Sequence, residues 1–401
     1  MTQGLLYVFP EPLPLPKARG IQVMHSVVSL AEAGIPLTLA YVVANEHSQP
    51  RALFRHYGLS QPANLELWPL SRALPWPLSW LGLHSRRLFL WRLRRRLNVA
   101  RQANKAPALL FTRHVKLASD LLKPCWPPLI YEAHELHAET ALPHKATRLA
   151  MLEATVLKHA ASLVAISNEL ANALKVRYEL KRDFTIVPSA ATLPQKTPQK
   201  RWNNAKTRIV YAGNAYPWKG VEDVLAAARR LPPECEIHLI GDLPRRYSTA
   251  LSAPDITRGA RLNLQGTLSH PDTLAFLQCA CIAVLPNRAG SVSTYTSPLK
   301  LFEYMAAGCA IVASDLPVLR EILGEKDAAW FAPGDPKSLA SAIQTLLNNP
   351  ESMQAMGKRV AERARDFSWE ARAKRLQVIC QHTLSQSATK SPGHSESLGA
   401  A

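Results

Sequence analysis

Short apolar runs alternate with longer amphipathic stretches from one end of the chain to the other. In the first half, LLYVF (from Leu5), LTLAYVV (from Leu37), ALLFT (from Ala108), LIYEA (from Leu129), SLVAIS (from Ser162) and FTIVPS (from Phe184) read as strands. Between them lie helix-like segments such as GIQVMHSVVSLAEAG, where Val23, Val27, Leu30 and Ala31 share one helical face. A second series follows: RIVYAG, CEIHLIG, RLNLQG, CIAVLP, CAIVAS and AAWFAP. Strands that alternate with helices predict parallel sheets covered on both faces, an α/β fold. The two series part at TLPQKTPQKRWNNAK, a polar, proline-containing stretch without hydrophobic periodicity. The expected organisation is a doubly wound domain over 1–191, a linker over 192–206, a second doubly wound domain over 207–384, and a disordered tail over 385–401. Ligands of such sheets sit at the carboxyl ends of the strands, so a cleft between the domains is the expected site.

Composition narrows the function classes. At 47% hydrophobic and 19% charged over 401 residues, the chain has ample material for cores and is not a disordered type. The excess of 48 basic over 30 acidic side chains gives a net charge of +18 and favours an anionic partner. Six scattered cysteines, without a CxxC, argue against a disulfide scaffold or a zinc site and for a reducing, cytoplasmic setting. No basic region precedes the N-terminal apolar run, and no stretch has the length of a membrane span. Residues 67–119 hold no acid but many arginines, among them Arg92, Arg94, Arg95 and Arg96, with Trp68, Trp76, Trp80 and Trp91 interleaved. Two readings fit that segment: a peripheral contact with an anionic membrane surface, or a surface helix with solvated arginines. No nucleic-acid-binding module is recognisable, and no nucleic acid is expected as partner.

Two windows carry candidate chemistry. In the first, Ser297 to Ser314, Ser297 is a favourable N-cap and Pro298 fits the first helical position. The free amides of that helix start, with Lys300 beside them, make an anion site, and Glu303 is placed to accept from sugar hydroxyls. Gly308 ends the helix before the next strand. In the second window, Tyr211 to Leu225, a strand ends in Gly213 and a short loop leads to Lys219 and Gly220 before another helix. A second cation therefore lies at the carboxyl edge of the same sheet. Taken singly, the first window is better explained by an ordinary capped helix with solvent-facing Lys300 and Glu303.

Together these windows resemble the retaining glycosyltransferases of family 4, which have the GT-B architecture of two Rossmann-like domains facing a cleft. RIVYAGNAYPWKGVEDVLAAA, GTLSHPDTLAFLQCACIAVLP and SPLKLFEYMAAGCAIVASDLPVLREIL are similar to donor-domain segments of that family. GIQVMHSVVSLAEAGIPLTLAYV, IYEAHE and LVAISNELANAL are similar to acceptor-domain segments, so the resemblance covers nearly the whole chain. It implies a nucleotide-diphosphate sugar as donor substrate and no cofactor. Lys219 and Lys300 would bind the donor diphosphate, Glu303 the ribose, and the backbone at Leu268 the base. Gly213 and Asn214 would lie at the strand end, Gly20 near the diphosphate, and His134 against the donor sugar. The acceptor would be a saccharide or a lipid-linked one.

The resemblance has two departures. Tyr295 stands where the family has the first of two glutamates, and Asn214 stands at a frequently basic position. Both leave open a degenerate site. Negative charge on the leaving phosphate would be stabilised by the lysines and the helix N-terminus. No DxD-like metal site is evident, so metal-independent transfer is implied, with a phosphate oxygen deprotonating the acceptor. A non-catalytic nucleotide-sugar binder and a sugar-nucleotide epimerase are the alternatives. A dinucleotide-dependent dehydrogenase is disfavoured because GxGxxG is missing after the first strand. Glu132, Glu135 and Glu139 flank His134 and are candidates for acceptor hydroxyls. Glu321 is expected to support the helix that follows it, Cys279 and Cys281 to be buried, and Tyr216 and Trp218 to wall the site or pack on their own domain.

Overall fold

The computed structural model describes residues 4–15, 17–43, 50–72, 85–196, 198, 200, 202, 207–244, 259–295 and 297–389. Among these residues two wholly parallel sheets form. The first contains β1 (Leu5–Leu13), β2 (Leu37–Val43), β3 (Leu65–Leu70), β4 (Leu109–Thr112), β5 (Leu129–Ala133), β6 (Ser162–Ala165) and β7 (Thr185–Ile186), in the order β3-β2-β1-β4-β5-β6-β7. The second contains β8 (Arg208–Ala212), β9 (Glu236–Ile240), β10 (Arg261–Gly266), β11 (Ile282–Leu285), β12 (Ala310–Ser314) and β13 (Ala329–Phe331), in the order β10-β9-β8-β11-β12-β13. Each apolar run picked out in the sequence lies in one of these strands. The exception runs the other way: β3 was not singled out. Its LELWPL carries Glu66 and Pro69, and proline is tolerated because β3 is the edge of the sheet.

Strand pleating explains the layers. Leu5, Tyr7 and Phe9 of β1 pack with Val23, Val27, Leu30 and Ala31 of the helix Ala18–Glu32. Leu6 and Val8, on the opposite face, pack with Phe89, Leu93 and Leu97 of the helix Arg86–Gln102. In both sheets the strand order reverses next to the first strand of the series, between β1 and β4 and between β8 and β11. Those two switch points leave crevices at the carboxyl ends, and both open into the same cleft.

The sequence-based boundary at 384 is corrected by the last helix, Trp369–Thr389. It crosses back, and its Ala373, Leu376, Ile379 and Cys380 join the core of the first sheet. Chain order suggested the second domain; the burial of that apolar stripe places the helix on the first. The same helix takes up residues 385–389, which were expected to be disordered, while 390–401 lie outside the described residues. Part of the linker is anchored: Lys200 donates to Leu277 O at 3.0 Å, and Trp202 packs against Gly357. Two local expectations also change. Cys279 is exposed whereas Cys281 is buried. Glu321 accepts from the backbone amides of Asn168 and Glu169 at 2.8 Å each. It therefore caps the helix Asn168–Tyr178 of the first domain, not a helix of its own. No helix among the described residues is long and apolar enough to cross a membrane.

The basic segment divides. Trp68 is buried in β3, with Nε1 donating to Glu66 at 2.8 Å, and Arg96 lies 5.9 Å from its ring. Arg92 donates to Ser71 O at 2.6 Å, Arg86 pairs with Asp120, and Arg101 donates to Cys125 O. Arg87, Arg94, Arg95 and Arg96 are exposed on the helix Arg86–Gln102, together with Trp91, which is 56% exposed. Trp76 and Trp80 lie outside the described residues.

Candidate functional site

The interdomain cleft has a volume of about 700 Å³ and is lined from both domains. Its second-domain wall begins where β8 ends. Gly213 has φ +147°, and the neighbouring Gly241, at the end of β9, lies so near that an added Cβ would sit 2.3 Å from Gly213 O. The chain then makes the single turn Pro217–Lys219 and reverses at Gly220, with φ +65°. A Cβ at Gly220 would meet Pro286 O at 1.8 Å, so only glycine packs this turn against the end of β11. Lys219 is thereby turned back over Gly213, with Nζ 5.5 Å and 5.3 Å from the rings of Tyr216 and Trp218. Tyr216 and Trp218 themselves line the cleft. Gly220→Ala is expected to lower stability by more than about 1 kcal/mol and to weaken any ligand held by Lys219, as denaturant unfolding and calorimetry would show.

Lys300 completes this wall. Its ammonium is buried, lies 4.3 Å from the centre of the Tyr211 ring, and has no hydrogen-bond partner among the described residues. Burial first, then the charge of Lys219, holds its pKa well below the ordinary lysine value. Burial alone lowers that of Lys219. The helix here starts one residue later than the sequence suggests. It spans Leu299–Ala306 with Pro298 as N-cap, and Ser297 is not the cap. The Ser297 hydroxyl accepts instead from Ser189 N at 3.3 Å, and Ser189 Oγ donates to Ser297 O at 3.2 Å, which stitches the domains together beside the cleft. Glu303, one turn further on, is buried and accepts from His270 Nε2 at 2.8 Å. Leu268 and Asn214 line the cleft, as does Gly213.

The first-domain wall is built at the β1/β4 switch point and the end of β5. His134 lines the cleft, and its Nε2 lies 2.8 Å from Glu132 Oε2. Burial, then the Arg113 guanidinium, lowers its pKa to about 4, so the ring is neutral near pH 7. Arg113, just past β4, donates to Gln22 Oε1 at 2.6 Å. Tyr295 reaches across from the second domain and donates to Glu139 Oε2 at 3.0 Å. Of the three flanking glutamates only Glu135 lines the cleft, because Glu132 is buried against His134 and Arg372 and Glu139 accepts from Tyr295. Gly20 does not line the cleft either. It is packed on the Leu15 turn, where an added Cβ would meet Leu15 O at 2.3 Å and Tyr57 Oη at 2.9 Å. Its neighbours Ala18, Arg19 and Ile21 face the cleft instead.

The fold thus brings together His134, Gly213, Asn214, Lys219, Leu268, Ser297, Lys300 and Glu303. Arg113, Gln22 and His270 were not singled out for the site. Their partners lie 91 residues (Arg113 and Gln22) and 33 residues (His270 and Glu303) away in sequence, so no local window exposes them.

Residues 194–363 match the family model described as glycosyl transferases group 1. A phosphatidyl-myo-inositol mannosyltransferase of Mycolicibacterium smegmatis is 27% identical over 157 residues, 38% of this chain and 39% of that protein. The chain spans about four-tenths of the length of the curated relatives it matches first. Among solved structures, sucrose-phosphate synthase from Thermosynechococcus elongatus superposes with a TM-score of 0.74 at 19% identity, covering 96% of this chain and 100% of that one. Anabaena HepE in complex with UDP-glucose superposes with a TM-score of 0.67 at 14% identity, covering 96% and 100%. At such identities the structures speak for the fold, and the family match falls on the wall that carries Lys219, Lys300 and Glu303. Residues 194–363 are thus similar to the glycosyl transferases group 1, and the whole chain has the GT-B architecture of these solved structures.

Proposed function

We propose that the cleft transfers a sugar from a nucleoside diphosphate sugar to an acceptor hydroxyl, with retention of anomeric configuration and without a metal ion. One observation carries this reading: the Lys300 ammonium, buried without a partner beside Lys219 at a helix start. A buried cation left unpaired is costly, and a diphosphate would satisfy both lysines at once. As the bond from the anomeric carbon to the diphosphate breaks, negative charge grows on the leaving phosphate. The two ammonium groups and the free amides at Leu299 and Lys300 stabilise that charge more in the transition state than in the ground state. The leaving phosphate oxygen then takes the proton of the acceptor hydroxyl on the same face, which keeps the configuration. His134 would receive a hydroxyl of the donor sugar, and Glu303 the ribose hydroxyls, exchanging them for His270.

The UDP-glucose bound to Anabaena HepE supports a uridine donor as the first to try. A thermal-shift and calorimetric screen against UDP, GDP, ADP, CDP and dTDP tests the reading. Selective stabilisation by one of them is expected, and stabilisation by none would overturn it. Tyr295 favours a second reading, a binder without turnover, because the family's carboxylate is replaced by a phenol tied to Glu139. Nucleotide binding without transfer to any of a broad set of acceptors would select that alternative.

For the acceptor, the lipid named in the mycolicibacterial relative and the exposed basic helix support a lipid-linked substrate at an anionic, inner-face membrane surface. The surviving contact set is Arg87, Arg94, Arg95 and Arg96 around Trp91. Changing Arg94, Arg95 and Arg96 to glutamine is expected to weaken binding to phosphatidylglycerol-containing vesicles by at least about tenfold, at roughly 1 kcal/mol per cation. Sedimentation with such vesicles reads this out, and unchanged binding contradicts it.

A further inference from the structure

The last helix is tied to a cleft-lining residue by way of Arg372 and Glu132. Arg372 is only 2% exposed and is fully engaged. Its Nη1 donates to Val187 O at 2.8 Å and to Pro188 O at 2.6 Å, its Nε lies 3.4 Å from Ser26 Oγ, and its Nη2 pairs with Glu132 Oε1. Glu132 is 1% exposed and is held between two partners, Arg372 on one oxygen and His134 Nε2 at 2.8 Å on the other. Burial raises the Glu132 pKa, yet Arg372 and then His134 outweigh it and leave the carboxyl well below its ordinary value. An ionised carboxylate can only accept, so the proton between the two groups resides on Nε2 of His134.

We propose that Arg372 and Glu132 are positioning residues that fix His134 as the Nε2–H tautomer, leaving a bare Nδ1 to accept a hydroxyl of the donor sugar. The final clause rests on the sugar-nucleotide reading of the cleft; the tautomer itself does not. A buried Arg–Glu pair serving only to staple the last helix would have no need to spend its second carboxylate oxygen on a ring that lines the cleft. The arrangement makes His134 a neutral hydrogen-bond acceptor, not a cation and not a proton donor to the reacting bond. It also makes the first-domain half of the site depend on a helix that follows the whole second domain in sequence.

The test is nitrogen NMR on protein labelled with ¹⁵N-histidine, with the His134 signals assigned by their loss in His134→Asn. The wild type is expected to show protonated Nε2 and bare Nδ1 from about pH 6 to about pH 8. In Glu132→Gln the amide keeps its oxygen on Arg372 and turns its NH₂ to the ring, so the protonated nitrogen is expected to switch to Nδ1. Arg372→Lys, which retains the charge, is expected to keep the wild-type pattern. UDP affinity of Glu132→Gln is expected to stay within about twofold of wild type, while turnover of UDP-glucose falls on the order of 10²-fold. A wild-type ring protonated on Nδ1, or a Glu132→Gln ring with an unchanged pattern, overturns the proposal. If Glu132→Gln does not fold, the wild-type spectrum decides. Failure of UDP, GDP, ADP, CDP and dTDP alike to bind would count against the sugar-nucleotide reading and leave the tautomer result standing.

Discussion

Replacing Lys300 by methionine is expected to weaken nucleoside diphosphate binding severely and, at the same time, to stabilise the ligand-free protein. The two effects share a cause. The ammonium is buried, stacked on Tyr211 and unpartnered, with Lys219 close enough to lower its pKa further. Truncating one partner of a buried charge pair costs about 2–5 kcal/mol of affinity, so binding should weaken by between about thirtyfold and several thousandfold. Methionine fills similar volume without a charge, and relieving a site strained for function commonly yields about 0.5–2 kcal/mol of stability. The pH dependence separates this from a generic packing effect. A lysine with a lowered folded pKa destabilises the native state fully below that value, because the unfolded chain keeps the proton more readily. The deficit fades as pH rises from the lowered value towards 10.5. Thermal unfolding of both proteins across alkaline pH should therefore show the wild type catching up with Lys300→Met. A variant that is less stable at every pH, or one that binds nucleotide normally, contradicts this account.

The second large effect is read out in stability. Arg372→Met is expected to cost about 3–5 kcal/mol, because it leaves the Glu132 carboxylate buried without its cation and strips the donor from two carbonyls. Glu132→Gln in the same background should recover part of that loss. The resulting double-mutant cycle should give a coupling on the order of 0.5–3 kcal/mol, measured from urea midpoints at constant slope. Here the pH sign is opposite. In the wild type, Glu132 has a depressed pKa, so its contribution is present above the ordinary value of 4.5 and is lost as pH falls through the depressed one. In Arg372→Met the orphaned carboxyl takes up a proton more easily, and the gap to wild type should narrow in acid. Additive single effects would mean that the pair is not the unit described.

These two positions also show what a sequence reveals. Lys300 and Glu303 sit in one helical turn, and Lys219 follows its strand by a short loop, so a local window placed them at one sheet edge. Strands with two buried faces appear as apolar runs, and twelve of the thirteen strands were legible for that reason. The edge strand β3 was not, because Glu66 and Pro69 break its pattern. Arg372 and Glu132 are 240 residues apart, and nothing in either neighbourhood marks the pairing. The crossing of the last helix was hidden for the same reason: Ala373, Leu376 and Cys380 announce an apolar face without saying which domain it covers. Ser297 misled because its hydroxyl, a good cap by type, is drawn to Ser189 across the domain boundary. Long-range partners decide such cases, and composition or periodicity carries no trace of them.

The most direct measurement is a crystal structure of the protein with whichever of UDP, GDP, ADP, CDP or dTDP stabilises it most. The account predicts the diphosphate in the interdomain cleft, with phosphate oxygens about 2.7–3.2 Å from both Lys300 Nζ and Lys219 Nζ and the ribose on Glu303. A nucleotide bound elsewhere, or in the cleft with Lys300 Nζ still unpartnered, would contradict it.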